Sequence, residues 1–382
     1  MNLGVVLRNL RDNRDTFRDA VRVPNPHVLL SLLGPAVRGF LRQAAKGRSS
    51  TEIDSTHAVH FDWTYERSRS DLARLHSAAK RAQWDADTAL DWSLTVDPAD
   101  PERDLLPEAY LPFADLPGYR KASPAQRVEQ KRAYLAWTLS QFLHGEQGAL
   151  FAAAQLTTAV RWLDGKLYGS TQVMDEGRHV EVFHRYLTAK LEKRYEIDDN
   201  LYVIIDALMS DSRWDVKFLG MQIMIEGLAL GAFSMIRRQT REPLLQELLR
   251  YVITDEARHV HFGVLALEEC YTGDLREAEL RDRQDWAFEM ALLLRNRFLI
   301  HEFYEEHYAH AMTRAAWDHH LLASPVMRQF RQTMFTRIVP NLKRIRLIPA
   351  RLRPHYEDLG LLAYEDLPAA PELTASDLLA EG

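Results

Sequence analysis

The chain has 382 residues, 46% hydrophobic and 27% charged, with a net charge of -6. That is the composition of an ordinary globular protein with a sizeable core, and the charge is too mild to point to nucleic acid. Cys270 is the only cysteine, which excludes an intrachain disulfide and any Cys-built zinc or iron–sulfur site.

Charge is uneven along the chain. Residues 1–50 hold eight Arg and one Lys against three Asp, and six basic residues from Arg337 to Arg353 occur with no acid. From Pro354 onward seven acids occur with no Lys or Arg. The expectation is a solvated surface ending in an acidic tail, with docking to a membrane or partner as the alternative. No signal-peptide pattern follows Arg8 and Arg11, and no run of about 18 uncharged apolar residues is present, so the reading is cytoplasmic.

In chain order, Arg8, Arg11, Arg18 and Arg22 among Leu and Val suit an amphipathic helix, interrupted by Pro24, Pro26 and Pro35. Its expected place is on the protein's own surface, with membrane-surface contact as the second reading. A loop is expected over 47–56, and a helix from Thr64 to Gln83-Trp84-Asp85. Six prolines from Pro98 to Pro124 then mark a long irregular connection.

Ser123 can cap a helix, with Pro124 in its first turn and Gln126 completing a capping box. Apolar residues Leu135, Leu139, Phe142, Ala149 and Ala153 follow at helical spacing, and Glu146 falls on their stripe. The next helix carries Val173, Val180, Phe183 and Leu187 around Met174-Asp175-Glu176-Gly177-Arg178-His179. A third carries Val216, Leu219, Ile223, Leu230 and Phe233 around Glu226. The fourth carries Leu249, Val252, Gly263 and Ala266 around Thr254-Asp255-Glu256-Ala257-Arg258-His259. All four glutamates therefore point inward, where a carboxylate is costly unless paired or metal-bound.

Glu146 precedes Glu176 by the same interval as Glu226 precedes Glu256. Equal arms about a turn put both residues of a hairpin at one height. The midpoints are Arg161, near Asp164-Gly165, and Arg241, just before Pro243, so each pair sits about 20 Å along its helices from the turn. Glu and His three apart share one helix face. The 46 residues between His179 and Glu226 leave room for a crossover with its own helix near 201–209. The region 276–310 and the region 324–340 read as two further helices. His301, His307, His310, His319 and His320 share no helix with the glutamates and are given a surface or second-site role. The chain is thus divided into 1–122, an N-terminal helical extension and Pro-rich connection; 123–272, the bundle; 273–353, buttressing helices; and 354–382, the acidic tail.

Two single glutamates and two Glu-x-x-His pairs resemble the ligand set of the ferritin-like di-iron carboxylate superfamily, an all-α four-helix bundle with one long crossover. The resemblance implies that Glu146, Glu176, His179, Glu226, Glu256 and His259 bind two metals. Mixed oxygen and nitrogen donors suit iron or manganese, and four negative ligands neutralise two divalent ions. Asp175 and Asp255 are expected to orient the histidine of the opposite hairpin, with Arg178 and Arg258 compensating them. D-E-x-R-H is similar to the hydroxylase subunits of bacterial multicomponent monooxygenases, and the Trp84, Asp91-Trp92-Ser93 stretch resembles the lead-in of ribonucleotide reductase small subunits and their oxidase-like relatives.

No single subfamily fits throughout. Phe183 stands where the reductases carry a radical tyrosine, so no stable tyrosyl radical is expected. Ala149 and Met221 replace the crosslinked Val and Tyr of the ligand-binding oxidases, Val252 the additional His of arylamine N-oxygenases, and Leu230 the Thr of the hydroxylases. The resemblance implies an O2-dependent oxygenase or oxidase that hydroxylates, N-oxygenates or desaturates an apolar organic substrate. Two iron ions are preferred, with Mn/Fe as an alternative. An external ferredoxin or reductase would supply electrons, since no flavin or nicotinamide fingerprint is present, and the chain could act as a homodimer.

Phe142, Ala149, Phe183, Leu230 and Phe233 are the candidate substrate pocket, with plain core packing as the other reading of these stripe residues. Gln172 and Gln222 are candidate polar anchors, and Gly145, Gly148, Gly227, Ala229 and Gly231 either make room or allow close helix–helix packing. A ferroxidase or metal-handling protein, or a metal-clamped interaction subunit, remains the alternative.

Overall fold

The computed structural model describes residues 3–20, 22–55 and 57–380, and every regular element among them is helical. Thr56, the end of the loop expected over 47–56, lies outside the described residues. The principal helices are α1 (Leu3–Asp12), α2 (Pro26–Ala36), α3 (Ser70–Arg81), α4 (Pro124–Ala159), α5 (Leu163–Ala189), α6 (Asp199–Ser210), α7 (Trp214–Gln239), α8 (Pro243–Glu269), α9 (Glu277–Asn296), α10 (His301–His307), α11 (Arg314–Ala323) and α12 (Pro325–Phe335).

Local chemistry sets the bundle's boundaries. Ser123 Oγ accepts the Gln126 N–H at 3.3 Å while Gln126 Oε1 accepts the Ser123 N–H at 2.9 Å, so α4 starts on a reciprocal cap with Pro124 in the first turn. The α4–α5 break is centred on Arg161. In the second hairpin Glu242 caps α8 by accepting the N–H groups of Leu244 at 2.9 Å and Leu245 at 2.7 Å, and Pro243 follows it. That break is centred on Arg241, so both hairpins have the expected equal arms.

The crossover is α6, buried along nearly its whole length. Lys217, itself buried, donates to the carbonyls of Leu208 at 2.8 Å and Met209 at 3.2 Å and so satisfies the end of α6. Burial pushes its ammonium down to about 8. Helix α7 is long and apolar enough to cross a membrane by length and composition, yet its apolar stretch is almost wholly buried among its neighbours. It contains a π-helical segment, Leu219–Ile225, that ends at Glu226. Such a segment shifts the angular register of the residues after it, and this one lies directly before Glu226.

Several expectations are corrected. Residues 22–25, with Pro24 among them, are not helical, Pro26 opens α2 behind an Asn25 cap, and Pro35 lies inside that helix, so of the three prolines only Pro35 fails to interrupt it. Pro26 is tolerated because a first-turn N–H has no intrahelical partner to lose. Residues 64–69 are not helical, and α3 begins at Ser70. One hydrophobic core runs through the chain from Val23 to Leu378.

The acidic tail folds back on the chain and buries Tyr356, Leu361 and Leu378. Its acids pair with the preceding basic run: Arg353 with Glu365 at 2.7 Å, Arg344 with Glu372 at 3.0 Å and Lys343 with Asp366 at 2.6 Å. These pairs are largely exposed and contribute little each, but they account for the charge asymmetry within one molecule.

The glycines beside the glutamates divide by cause. A Cβ on Gly231 would meet Met334 Cα at 2.9 Å and Thr333 O at 3.0 Å, and one on Gly148 would meet Ile205 Cδ1 at 2.9 Å. Close packing therefore explains both, and they provide no spare room. A Cβ on Gly145 meets nothing within 4 Å. Gly231→Ala is expected to lower stability by about 1–3 kcal/mol through overpacking against backbone. Gly145→Ala should be neutral or raise stability by up to about 1 kcal/mol. Urea denaturation of the two variants checks this contrast.

Candidate metal centre

The bundle brings Glu146 from α4, Glu176 and His179 from α5, Glu226 from α7, and Glu256 and His259 from α8 into one buried site. Two groups of converging donor atoms result: Glu146, Glu176, His179 and Glu256, and then Glu176, Glu226 and His259. The rings of His179 and His259 lie 5.9 Å apart.

Each imidazole turns Nδ1 toward the carboxylates. His179 Nδ1 lies 3.2 Å from Glu146 Oε2, 3.3 Å from Glu176 Oε2 and 3.1 Å from Glu256 Oε1. His259 Nδ1 lies 3.0 Å from Glu176 Oε1 and 3.5 Å from Glu256 Oε2. Glu176 and Glu256 thus present one oxygen to each histidine, the arrangement of carboxylates that span two centres. Glu146 stands on the His179 side, while Glu226 groups with Glu176 and His259.

The opposite ring nitrogens are held from across the bundle. His179 Nε2 lies 3.2 Å from Asp255 Oδ2, and His259 Nε2 lies 3.2 Å from Asp175 Oδ2, so each aspartate serves the other hairpin's histidine. This contact fixes the ring and leaves Nδ1 as the free donor atom. Arg178 pairs with Asp175 and lies 3.5 Å from Asp255, and Arg258 pairs with Asp255 and lies 3.9 Å from Asp175.

Two further partners come from the α3 end, and no sequence pattern assigns them this role. Gln83 Nε2 donates to Asp175 Oδ1 at 2.8 Å, and Trp84 Nε1 donates to Asp255 Oδ2 at 2.7 Å. The Arg178 guanidinium also lies over the Trp84 ring at 5.2 Å. Gln172 Nε2 donates to both Glu176 Oε1 and Glu226 Oε1 at 3.0 Å, which ties it to the glutamates themselves.

The electrostatics show what the cluster lacks. Burial pushes the carboxyl of Glu146 well above the usual range, and Glu256 beside it adds to the effect. Glu226 is raised likewise by burial and then by Glu176 and Glu256. Burial would lower both histidines, but the carboxylates win: Glu146 raises His179 most, and Glu176 and Glu256 raise His259. Glu176 moves down despite burial because His259 and His179 flank it.

Glu176 Oε2, Glu226 Oε2, both oxygens of Glu256, and His259 Nδ1 have no hydrogen-bond partner, although all are buried. Orphaned donor atoms of this kind, aimed at one another, fit cations placed between them. Two divalent ions would cancel the four glutamates, while Arg178 and Arg258 cancel Asp175 and Asp255. The residues present therefore fit a dimetal centre.

The expected pocket residues are distributed unevenly. Phe142, Phe183 and Phe233 form one aromatic group, with ring centroids 4.6 Å apart for Phe142–Phe233 and 5.6 Å for Phe183–Phe233. They stand one turn before Glu146, one turn after His179 and two turns after Glu226. Ala149 is buried on α4, whereas Leu230 borders a cleft with Ala257, Val260 and the C-terminal segment. Leu230 thus belongs to a different face from the three rings. Gln222 Nε2 reaches Gln172 Oε1 at 3.5 Å, which makes the two anchors one chain of contacts.

Tyr186 is buried and donates to Glu242 Oε2 at 2.8 Å, at the second hairpin's turn. Of the C-terminal histidines, His301 pairs with Asp318 at 2.7 Å and His320 with the Pro112 carbonyl at 2.9 Å. Neither group includes a residue of the cluster.

No protein-family model and no curated protein matches the chain. Among solved structures it is similar to an R2-like ligand-binding oxidase with aerobically reconstituted Mn/Fe cofactor, at 19% identity and a TM-score of 0.45, over 77% of this chain and 99% of that one. An R2-like ligand-binding oxidase with aerobically reconstituted metal cofactor after photoconversion is similar at 17% identity and a TM-score of 0.42, over 73% and 99%. By its own geometry, two hairpins joined by a crossover and four helices contributing Glu, Glu-x-x-His, Glu and Glu-x-x-His to one buried cluster, the chain is a ferritin-like helical bundle.

Proposed function

We propose that the protein is a non-haem di-iron oxidase or oxygenase that uses O2 to oxidise an apolar organic molecule. The observation that carries this reading is the buried cluster of four glutamates and two histidines, five of whose donor atoms lack hydrogen-bond partners. Mixed carboxylate and imidazole donors favour iron, with manganese and iron together as the variant. When bound, the metal pair supplies the redox and Lewis-acid chemistry that reduces O2.

The chain's own residues do the rest. Glu146, Glu176, His179 and Glu256 would hold one metal, and Glu176, Glu226 and His259 the other. Asp255 and Asp175 keep each imidazole N–H engaged, so the other nitrogen remains unprotonated for a metal. Phe142, Phe183 and Phe233 exclude water from one side of the site and offer an apolar substrate a matching surface. An external electron donor and a cytoplasmic setting are part of the same proposal.

The test is to load the chain anaerobically with Fe(II) and then admit O2. The proposal expects O2 uptake in proportion to bound iron, iron that stays bound, and renewed uptake after chemical reduction. Electron paramagnetic resonance should show no persistent tyrosyl signal, because Phe183 cannot be oxidised comparably. A ferroxidase would instead turn over added Fe(II) and release ferric iron, and a metal-clamped scaffold would consume no O2.

A further inference from the structure

The helix α1 is built inside out. Its buried positions are polar: Asn9 is 7% exposed and donates through Nδ2 to the Leu41 carbonyl at 3.1 Å, and Asn13, just beyond it, is 6% exposed and donates to the Asn9 carbonyl at 3.0 Å. Three of its apolar side chains face outward, with Leu7 58% exposed, Leu10 41% and Val5 37%. On α2, whose continuation carries Leu41, Leu30 is 69% and Leu33 58% exposed. Large aliphatic residues grouped on outward faces of two helices mark a surface meant to be covered.

Charge indicates what covers it. Arg8, Arg11, Arg14 and Arg18, on the same N-terminal stretch as Leu7 and Leu10, are all exposed. Arg11 has only its sequence neighbour Asp12, at 3.4 Å, and Arg8, Arg14 and Arg18 pair with no carboxylate among the described residues. Residues 1–50 carry a balance of +6 in a chain whose total is -6. A second copy of the chain fits poorly, because a two-fold contact on this face sets the arginines of one copy against those of the other. A surface that is apolar below and anionic above satisfies both the leucines and the arginines.

We propose that α1 is a docking face for an anionic lipid bilayer. Leu7 and Leu10 enter the boundary between headgroups and acyl chains, and Arg8, Arg11, Arg14 and Arg18 meet the anionic headgroups. The proposal does not rest on the metal chemistry.

The experiment is co-sedimentation of the full chain with vesicles of phosphatidylcholine alone or with about a third phosphatidylserine. Binding is expected only with the anionic vesicles, and it should weaken as salt is raised. Leu7→Glu with Leu10→Glu should reduce binding at least about tenfold. Arg8→Ala and Arg14→Ala should each reduce it by about fivefold. All four positions are exposed, so metal content and circular dichroism should remain those of the parent chain. The proposal is overturned if the parent chain does not sediment with anionic vesicles, or if the Leu7→Glu, Leu10→Glu variant sediments equally well. It is also overturned if that variant merely converts a dimer to a monomer in light scattering, which would assign the face to a second copy.

Discussion

Replacing His259 by alanine is expected to lower bound metal from two ions per chain to one or none, while helix content stays near that of the parent. The imidazole faces Glu176 and Glu256 through Nδ1 and Asp175 through Nε2, so its loss removes a donor and strands a buried aspartate. His179→Ala should do the same from the other side. The fold survives because most burial comes from the apolar stripes of α4, α5, α7 and α8, which neither change touches. Metal analysis by mass spectrometry and far-ultraviolet circular dichroism on the same samples read the two effects separately. A variant that keeps both metals would remove that histidine from the ligand set.

Glu226→Gln should stabilise the metal-free protein and at the same time weaken metal binding. In the absence of metal, Glu226 is buried with Oε2 unpartnered, near Glu176 and Glu256. A neutral amide of the same shape removes that repulsion, and the expected gain is on the order of 2 kcal/mol. At roughly 2 °C per kcal/mol for a chain of this size, the melting temperature should rise by several degrees. Metal-loaded parent protein should still melt highest, because metal binds the folded state selectively. The expected order is metal-loaded parent, then metal-free Glu226→Gln, then metal-free parent.

The pH dependence has its origin in the same charges. Glu146, Glu226, His179 and His259 all have folded-state pKa values raised above their unfolded values. Each therefore contributes stability at low pH that is lost as pH rises toward its folded value. Glu176 and Asp255 are depressed, and their contribution is lost as pH falls below the ordinary carboxylate range. Metal-free parent protein should thus be more stable at pH 6 than at pH 8, and should weaken again below about pH 4. Glu226→Gln should flatten the upper limb, and scanning calorimetry at the three pH values reads it.

The hairpins were legible because helical spacing and equal arms are local facts: Arg161 and Arg241 sit at the two breaks, and the crossover helix falls where the long connection left room. The inward glutamates were legible for a related reason, since a charged residue on an apolar stripe stands out in any helical reading. The contacts of Gln83 and Trp84 with Asp175 and Asp255 were not, because they join residues about 90 and 170 positions apart and no periodicity encodes such a pairing. The sequence offered only a Gln-Trp pair just ahead of the irregular connection.

Gly231 and Gly148 misled for a similar reason. A glycine beside a ligand reads as room until its neighbour is known, and the neighbours here are the backbone of α12 and Ile205 of α6. The outward leucines of α1 also ran against the pattern, since an amphipathic helix is expected to bury its apolar side. Asn9 and its bond to Leu41 reverse that expectation through tertiary contact alone.

Whether the six buried side chains hold two metals is read by anaerobic titration of metal-free protein with Fe(II), counting the equivalents bound. A break is expected at two Fe(II) per chain in the parent, and at one or fewer in His259→Ala. A parent chain that saturates at one equivalent, or binds none, would contradict the two-metal site.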